Sequence, residues 1–273
     1  MSKKSQKEAS KIALSYLDDD LVFLDTETTG LGYDDEIIEI SIIDKYGNIL
    51  LDDLIKPKKS IPLSASNIHH ITNNDVINHP AWPDIYHRYR DAVKNKTVII
   101  YNKKFDNRLL RQTCGKYGLA TPRIKSVCLM ELYSLYKSVV NNTGGYKWFK
   151  LSDAISENAI ITTGGFHRAL CDVVASRKLL YFIAGKDELT IRNEAEEKLI
   201  SLLPCNANNT SEHVINKCYD INNKSHDGYT SNRQYLINSN EKPNKRTSFV
   251  GACFFAILFI MSCFVLIFGA MSI

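Results

Sequence analysis

Residues 21–31, LVFLDTETTGL, run four apolar residues straight into two acids and a Thr-Thr-Gly turn. A short apolar run that ends at a turn reads as a buried strand. Charge at the end of such a strand is costly unless something compensates it. Asp25 and Glu27 are two residues apart, so on a strand both side chains leave the same face. Their Cα atoms then lie roughly 6.5 Å apart, close enough for the two carboxylates to converge on divalent ions. Two-metal sites need ions about 3.5–4 Å apart, and hard oxygen ligands suit Mg²⁺ or Mn²⁺. Alone, a D-x-E pair on a strand is more often a solvated edge or an ion-pair site. Its partners further along the chain decide.

The pattern is dense and globular from residue 18 to residue 185. LVFLDTE, EIIEISIID and NILLDDLIKP read as three strands, close enough in sequence for an antiparallel meander. TVIIYN, residues 97–102, is a fourth. Helices are expected near residues 84–93, in KFDNRLLRQTCGKYG, in KSVCLMELYSLY and in KLSDAISENAI. HRALCDVVASRKLLYFIAG closes the region as a helix with Gly185 past its end. Strands first and helices interleaved afterwards predict an α/β fold, a mixed sheet flanked by helices.

The ends differ in character. Residues 1–17 are charged, read as an N-terminal tail, and lack the apolar core of a signal peptide. Residues 186–247 read as a short charged helix followed by an Asn- and Ser-rich linker. Residues 249–273 carry no charge over 25 positions, and Lys242, Lys245 and Arg246 stand just before them. A bilayer core needs about 20 apolar residues, so residues 248–273 are expected to be a single C-terminal membrane anchor. The preceding positive charges would keep the N-terminal bulk in the cytoplasm. Seven scattered cysteines without a CxxC pair argue against a disulfide framework or a zinc site. The net charge of +4 is too small to argue for nucleic acid by itself.

Asp106 follows an apolar strand and opens a helix in YNKKFD; Asp172 lies in HRALCD, five residues after His167. Together, DTETTGL, YNKKFD and HRALCD resemble the three motifs of the DnaQ-like 3′–5′ exonucleases, in the DEDDh branch with its His five residues before the last Asp. SASNIHHIT is similar to a stretch of proofreading-type members. The resemblance covers residues 18–185 and implies a ribonuclease H-like fold. It implies that Asp25, Glu27, Asp106 and Asp172 hold two ions, Mg²⁺ or Mn²⁺, with Asp106 acting mostly through water. His167 would be the general base, a task suited to an imidazole. The product would be nucleoside 5′-monophosphates from the 3′ end of DNA or RNA.

Thr28 and Leu31 match positions that meet the terminal nucleotide, Leu31 by pressing against a base. Asn102 belongs to the second motif, but Tyr101 stands where the family often has His. His69 and His70 read as turn residues beneath the active-site face. The helix around residues 84–95 reads as exposed and amphipathic. Trp148 and Phe149 suit the groove or the core equally. No residue calls for a polymerase partner, and the oligomeric state is left open. A catalytically silent, membrane-held nucleic-acid binding module and an RNA-trimming enzyme are the rival readings.

Overall fold

In chain order α1 (Lys3–Asp18) leads into β1 (Leu21–Thr28), β2 (Ile37–Asp44) and β3 (Ile49–Leu54), followed by α2 (Leu63–His69), α3 (Asn73–Val76) and α4 (Trp82–Val93). Then come β4 (Thr97–Ile100), α5 (Lys103–Lys116), β5 (Lys125–Cys128), α6 (Leu129–Lys137), α7 (Leu151–Glu157) and α8 (Ala169–Ala184). The computed structural model describes residues 2–162 and 165–187, together with Thr190 and Asn193. The strands form one sheet in the order β3-β2-β1-β4-β5. The first three pair antiparallel, as the meander predicts, while β4 and β5 run parallel to β1. This is the mixed, helix-flanked, ribonuclease H-like sheet expected from the sequence.

Period-two alternation in β1 and β2 divides the core in two. Leu21 and Phe23 of β1 and Ile43 of β2 enter one cluster with α1, α6, α7 and α8. Val22, Leu24, Ile40 and Ile42 enter the other with α4 and α5. Continuing the odd positions along β1 carries Asp25 and Glu27 out on the α8 side, at the strand end where apolar filling stops. Thr26, at an even position, faces α5. The sheet thereby fixes which acids can meet.

Three segments differ from expectation. NIHHITNNDV reads as loop, yet α2 and α3 occupy most of it, and His69, read as a turn residue, is the last residue of α2. Residues 1–17 are no tail: α1 packs on α6 and α8, with Ala9, Ala13 and Leu17 buried at a four-residue spacing. Two of those three residues are alanines, so the buried face lacked the bulk that marks a core helix in sequence. KSVCLMELYSLY is not one helix. Its first residues, Lys125–Cys128, are the edge strand β5, and the helix begins at Leu129. Four residues are too few for strand alternation to be distinguished from the helical period that follows.

Gly185 takes φ +67° past the end of α8, a left-handed turn that glycine adopts readily. The charged helix, linker and anchor expected over 186–273 lie outside the described residues, apart from Lys186, Asp187, Thr190 and Asn193. Among the described residues, no helix is long and apolar enough to cross a membrane.

Candidate active site

Asp25 and Glu27 leave β1 toward the start of α8, where Asp172 occupies the first helical turn. The three residues each offer an oxygen, and these oxygens all lie within 4.8 Å of one another. Asp172 is aimed by its own backbone surroundings. Its N–H donates to the Arg168 carbonyl at 3.0 Å, and its Oδ2 accepts the His167 N–H at 3.2 Å. Its Oδ1 is buried with no hydrogen-bond partner. His167 is exposed and adopts φ +67°, a conformation that costs a non-glycine residue of order 1 kcal/mol. Strain of this kind collects at functional sites, and here it sits on the residue expected to be the base.

Burial and like charge act together on these acids. Burial is the main cause that drives Asp25 well above the ordinary carboxylate range, with Asp106, Asp172 and Glu27 adding to it. Glu27 is pushed up to about 8, first by burial and then by Asp172 and Glu39. Asp172 rises to about 6 through burial, opposed by the His167 N–H.

Asp106 borders this cluster without joining the three oxygens. It is 3% exposed in the first turn of α5, and Thr26 Oγ1 donates to its Oδ1 at 2.8 Å. Burial lifts it to about 7 against that hydrogen bond. Strand parity explains the arrangement: Thr26 faces α5 and receives Asp106 from that side.

The other expected residues fall as follows. Thr28 is buried, and its hydroxyl donates to the Gly30 carbonyl at 2.8 Å. Leu31 is 79% exposed. Asn102 is exposed at the N-cap of α5 and makes no side-chain cap hydrogen bond. Tyr101 is structural: its hydroxyl donates to the Phe149 carbonyl at 2.8 Å. His69 is buried, with Nδ1 accepting the Ile71 N–H at 3.0 Å. Burial lowers its pKa, while the Thr28 backbone and Glu39 oppose that shift. It supports the strand end from beneath. His70 takes the left-handed turn that closes α2. Phe149 packs edge-on against Tyr133 in the core, whereas Trp148 stays exposed beside Lys104. The helix expected near residues 84–93 is indeed amphipathic.

Sequence reasoning missed Glu39 and Arg168. Glu39 pairs directly across from Glu27 on β2 and is 2% exposed. Like charges placed so are destabilising. Arg168 offsets Glu39: its Nη2 donates to Oε1 at 2.6 Å and its Nε to both oxygens at 3.1–3.2 Å. The Ala169 N–H donates to Oε2 at 3.0 Å. Glu39 therefore holds the start of α8 against the sheet, between His167 and Asp172. The clue was an acid inside the apolar run EIIEISIID, the same signal that singled out Asp25.

Three converging oxygens, an orphaned Asp172 Oδ1 and proton affinities raised by burial and by neighbouring acids fit a divalent cation. Asp25, Glu27 and Asp172 would hold it, with Asp106 alongside. At β1 the pairing with β2 also shifts register between Glu27 and Thr28, the kind of irregularity that re-aims side chains beside active sites.

An exonuclease family model (RNase_T) matches residues 22–180. An uncharacterized exonuclease of Escherichia phage 186 is 42% identical over 169 residues, which cover 60% of this chain and 87% of that protein. The DNA polymerase III subunit epsilon of Treponema pallidum (strain Nichols) is 30% identical over 128 residues, 45% of this chain and 58% of that one. The fold matches solved structures. E. coli exonuclease I in complex with a dA16 oligonucleotide gives a TM-score of 0.52 at 16% identity, over 68% of this chain and 46% of that one. The nuclease domain of 3′hExo, a DEDDh family member bound to rAMP, gives 0.51 at 16% identity, over 62% and 94%.

Two outcomes are expected. The cluster acids bind protons more tightly in the folded chain than at their ordinary values of 3.8 and 4.5. Their contribution to stability is therefore complete below those values and is lost as pH rises through about 6, 7 and 8 for Asp172, Asp106 and Glu27. The thermal midpoint of the metal-free protein should fall from pH 5 to pH 8.5, and Mg²⁺ or Mn²⁺ should raise it most at the upper end. A flat profile indifferent to metal would mean that the chain compensates these charges by itself. Separately, Glu39→Ala removes one partner of a largely buried pair and should cost about 2–4 kcal/mol in denaturant unfolding. A change below about 0.5 kcal/mol would reduce the pair to a surface contact.

Proposed function

Because the chain belongs to the exonuclease family, we propose that it is a metal-dependent 3′–5′ exonuclease of the DnaQ-like (DEDDh) branch, releasing nucleoside 5′-monophosphates from DNA or RNA. The observation that carries this reading is the convergence of Asp25, Glu27 and Asp172 within 4.8 Å, next to a strained His167. Bound at these carboxylates, one or two divalent ions would neutralise the crowded charge and stabilise the attacking and leaving oxygens.

The chain's own residues do the rest. Asp25 and Glu27 are fixed by a strand whose preceding four residues are buried in the core, so their aim is set before substrate arrives. Asp172 is oriented by the His167 N–H, and α8 by Glu39 and Arg168. His167, exposed at the mouth, would accept the proton of the attacking water. Leu31 would press on the terminal base, and Thr28 and Asn102 would line the terminal nucleotide. Residues 248–273 would tether the enzyme to a membrane with its catalytic domain in the cytoplasm, an arrangement supported by the uncharged 25-residue run and the cations before it.

The full-length chain, purified in detergent, should shorten 5′-labelled DNA or RNA oligonucleotides from the 3′ end when Mg²⁺ or Mn²⁺ is present. Asp25→Asn and His167→Ala should each lower kcat by about 100-fold or more. Unchanged activity in Asp172→Ala would sink the mechanism, and shortening from the 5′ end would sink the polarity. For the tether, the expressed chain should resist alkaline carbonate extraction from membranes, while a chain ending at residue 247 should be released. Release of both would remove the anchor from the reading.

A further inference from the structure

Between β1 and β2, residues 30–35 hold two large apolar side chains out in water: Leu31 is 79% and Tyr33 87% exposed. A flexible loop would turn such groups inward, since burying an aromatic ring is favourable by a few kcal/mol. This loop is braced against doing so. Asp35 ties it from within, accepting the Thr29 hydroxyl at 2.9 Å and the Gly32 N–H at 2.7 Å. Thr29 Oγ1 in turn accepts the Glu36 N–H at 3.1 Å. The packing is close: a Cβ at Gly30 would lie 2.7 Å from Asp35 Oδ2.

Helix α5 ties the loop from outside. Arg108 donates to the Gly32 carbonyl at 2.8 Å and the Leu31 carbonyl at 3.0 Å. Gln112 donates to the Gly32 and Asp35 carbonyls at 3.1 and 3.0 Å. The Arg108 guanidinium also sits 5.2 Å from the centre of the Tyr33 ring and 5.4 Å from that of Phe105, within cation–π range. Tyr33 is thus backed by a cation on one side and open to solvent elsewhere.

The loop starts three residues after Glu27, and Arg108 lies two residues after Asp106, so the loop continues the strand, and its outer brace springs from the helix, that carry the site's acids. Leu31 and Tyr33 are two residues apart, at most about 7 Å of chain, and successive bases in a strand rise by about 3.4 Å. We propose that Tyr33, backed by Arg108, is a stacking platform for the penultimate base of the bound strand, so that productive binding takes at least two unpaired nucleotides. The proposal rests on the exonuclease reading and adds to it a second subsite. An aromatic face takes any base, and a cation behind the ring adds charge attraction for the neighbouring phosphate.

Three probes separate the subsites in the full-length chain: the p-nitrophenyl ester of thymidine 5′-monophosphate, a single-stranded oligonucleotide, and the same oligonucleotide with an abasic penultimate position. Tyr33→Ala should raise KM for the intact oligonucleotide about tenfold and leave hydrolysis of the small ester unchanged. Tyr33→Phe should match the wild type. The abasic substitution should weaken wild-type binding to a similar degree and add little to Tyr33→Ala. Equal KM for variant and wild type on the intact strand would overturn the platform; so would a matching loss on the small ester, or fully additive effects of the variant and the abasic site. If the wild type hydrolyses none of the probes, the exonuclease reading fails on its own account. Fluorescence anisotropy with the labelled oligonucleotides then reads the platform, which stands on about tenfold weaker binding by Tyr33→Ala and falls on equal binding or on none.

Discussion

Negative charge concentrated at one end of β1 is the constraint on which the rest of the site depends. At an effective dielectric of about 20, two charges 4.8 Å apart repel by roughly 3.5 kcal/mol. Three such pairs among Asp25, Glu27 and Asp172 come to about 10 kcal/mol, comparable with the whole net stability of a domain, about 5–15 kcal/mol. Full ionisation of the three without a counter-charge therefore weighs heavily against the folded chain. The neighbouring guanidinium, Arg168, engages Glu39 through three contacts, so it offsets a fourth acid more than these three. A proton or a cation can supply the balance, and the raised proton affinities of Asp25 and Glu27 reflect burial first and the neighbouring acids second.

Strand parity converts that conflict into a directed site. Odd positions of β1 and β2 send Asp25, Glu27 and Glu39 to the α8 face, and even positions send Thr26 to the α5 face, where it takes Asp106. Each helix thus enters with one acid in its first turn, Asp172 or Asp106, and meets a different side of the same strand end. The favourable field of a helix N-terminus for anions makes those positions tolerable for a carboxylate. Apolar filling on both faces up to Leu24 leaves the strand little freedom, so the acids inherit the rigidity of the core.

Much of this was legible in the chain because it is local. A D-x-E spacing on a strand, an acid opening a helix and a His five residues before an Asp are each read within one short stretch. The three antiparallel strands and α8 with Gly185 follow from patterns of the same range. What escaped depends on distance. Glu39 and Arg168 are 129 positions apart, and neither motif predicts the other. Helix α1 buries mainly alanines, which carry little signal until a partner helix is known. Strand β5 is four residues long and runs straight into α6, so its identity comes only from pairing with β4. The bracing of Leu31 and Tyr33 likewise depends on Arg108 and Gln112, about 77 positions away.

These devices would couple cation binding to strand binding. The inner site is acidic and would repel a phosphate backbone, whereas Lys104, Arg108 and Arg111 line α5 outside it. A nucleic-acid strand approaching the metal-free protein would meet attraction at the rim and repulsion at the centre. Binding a divalent cation offsets most of the central negative charge and leaves the rim unchanged, so cation and strand should favour each other's binding, by an amount equal in both directions. If the rim loop receives the strand as proposed, it would need no rearrangement, since its hydrogen bonds already hold Leu31 and Tyr33 outward. Pre-organisation of that kind removes an ordering cost at the moment of binding. With the loop already braced, such binding would depend chiefly on the charge state of Asp25, Glu27 and Asp172.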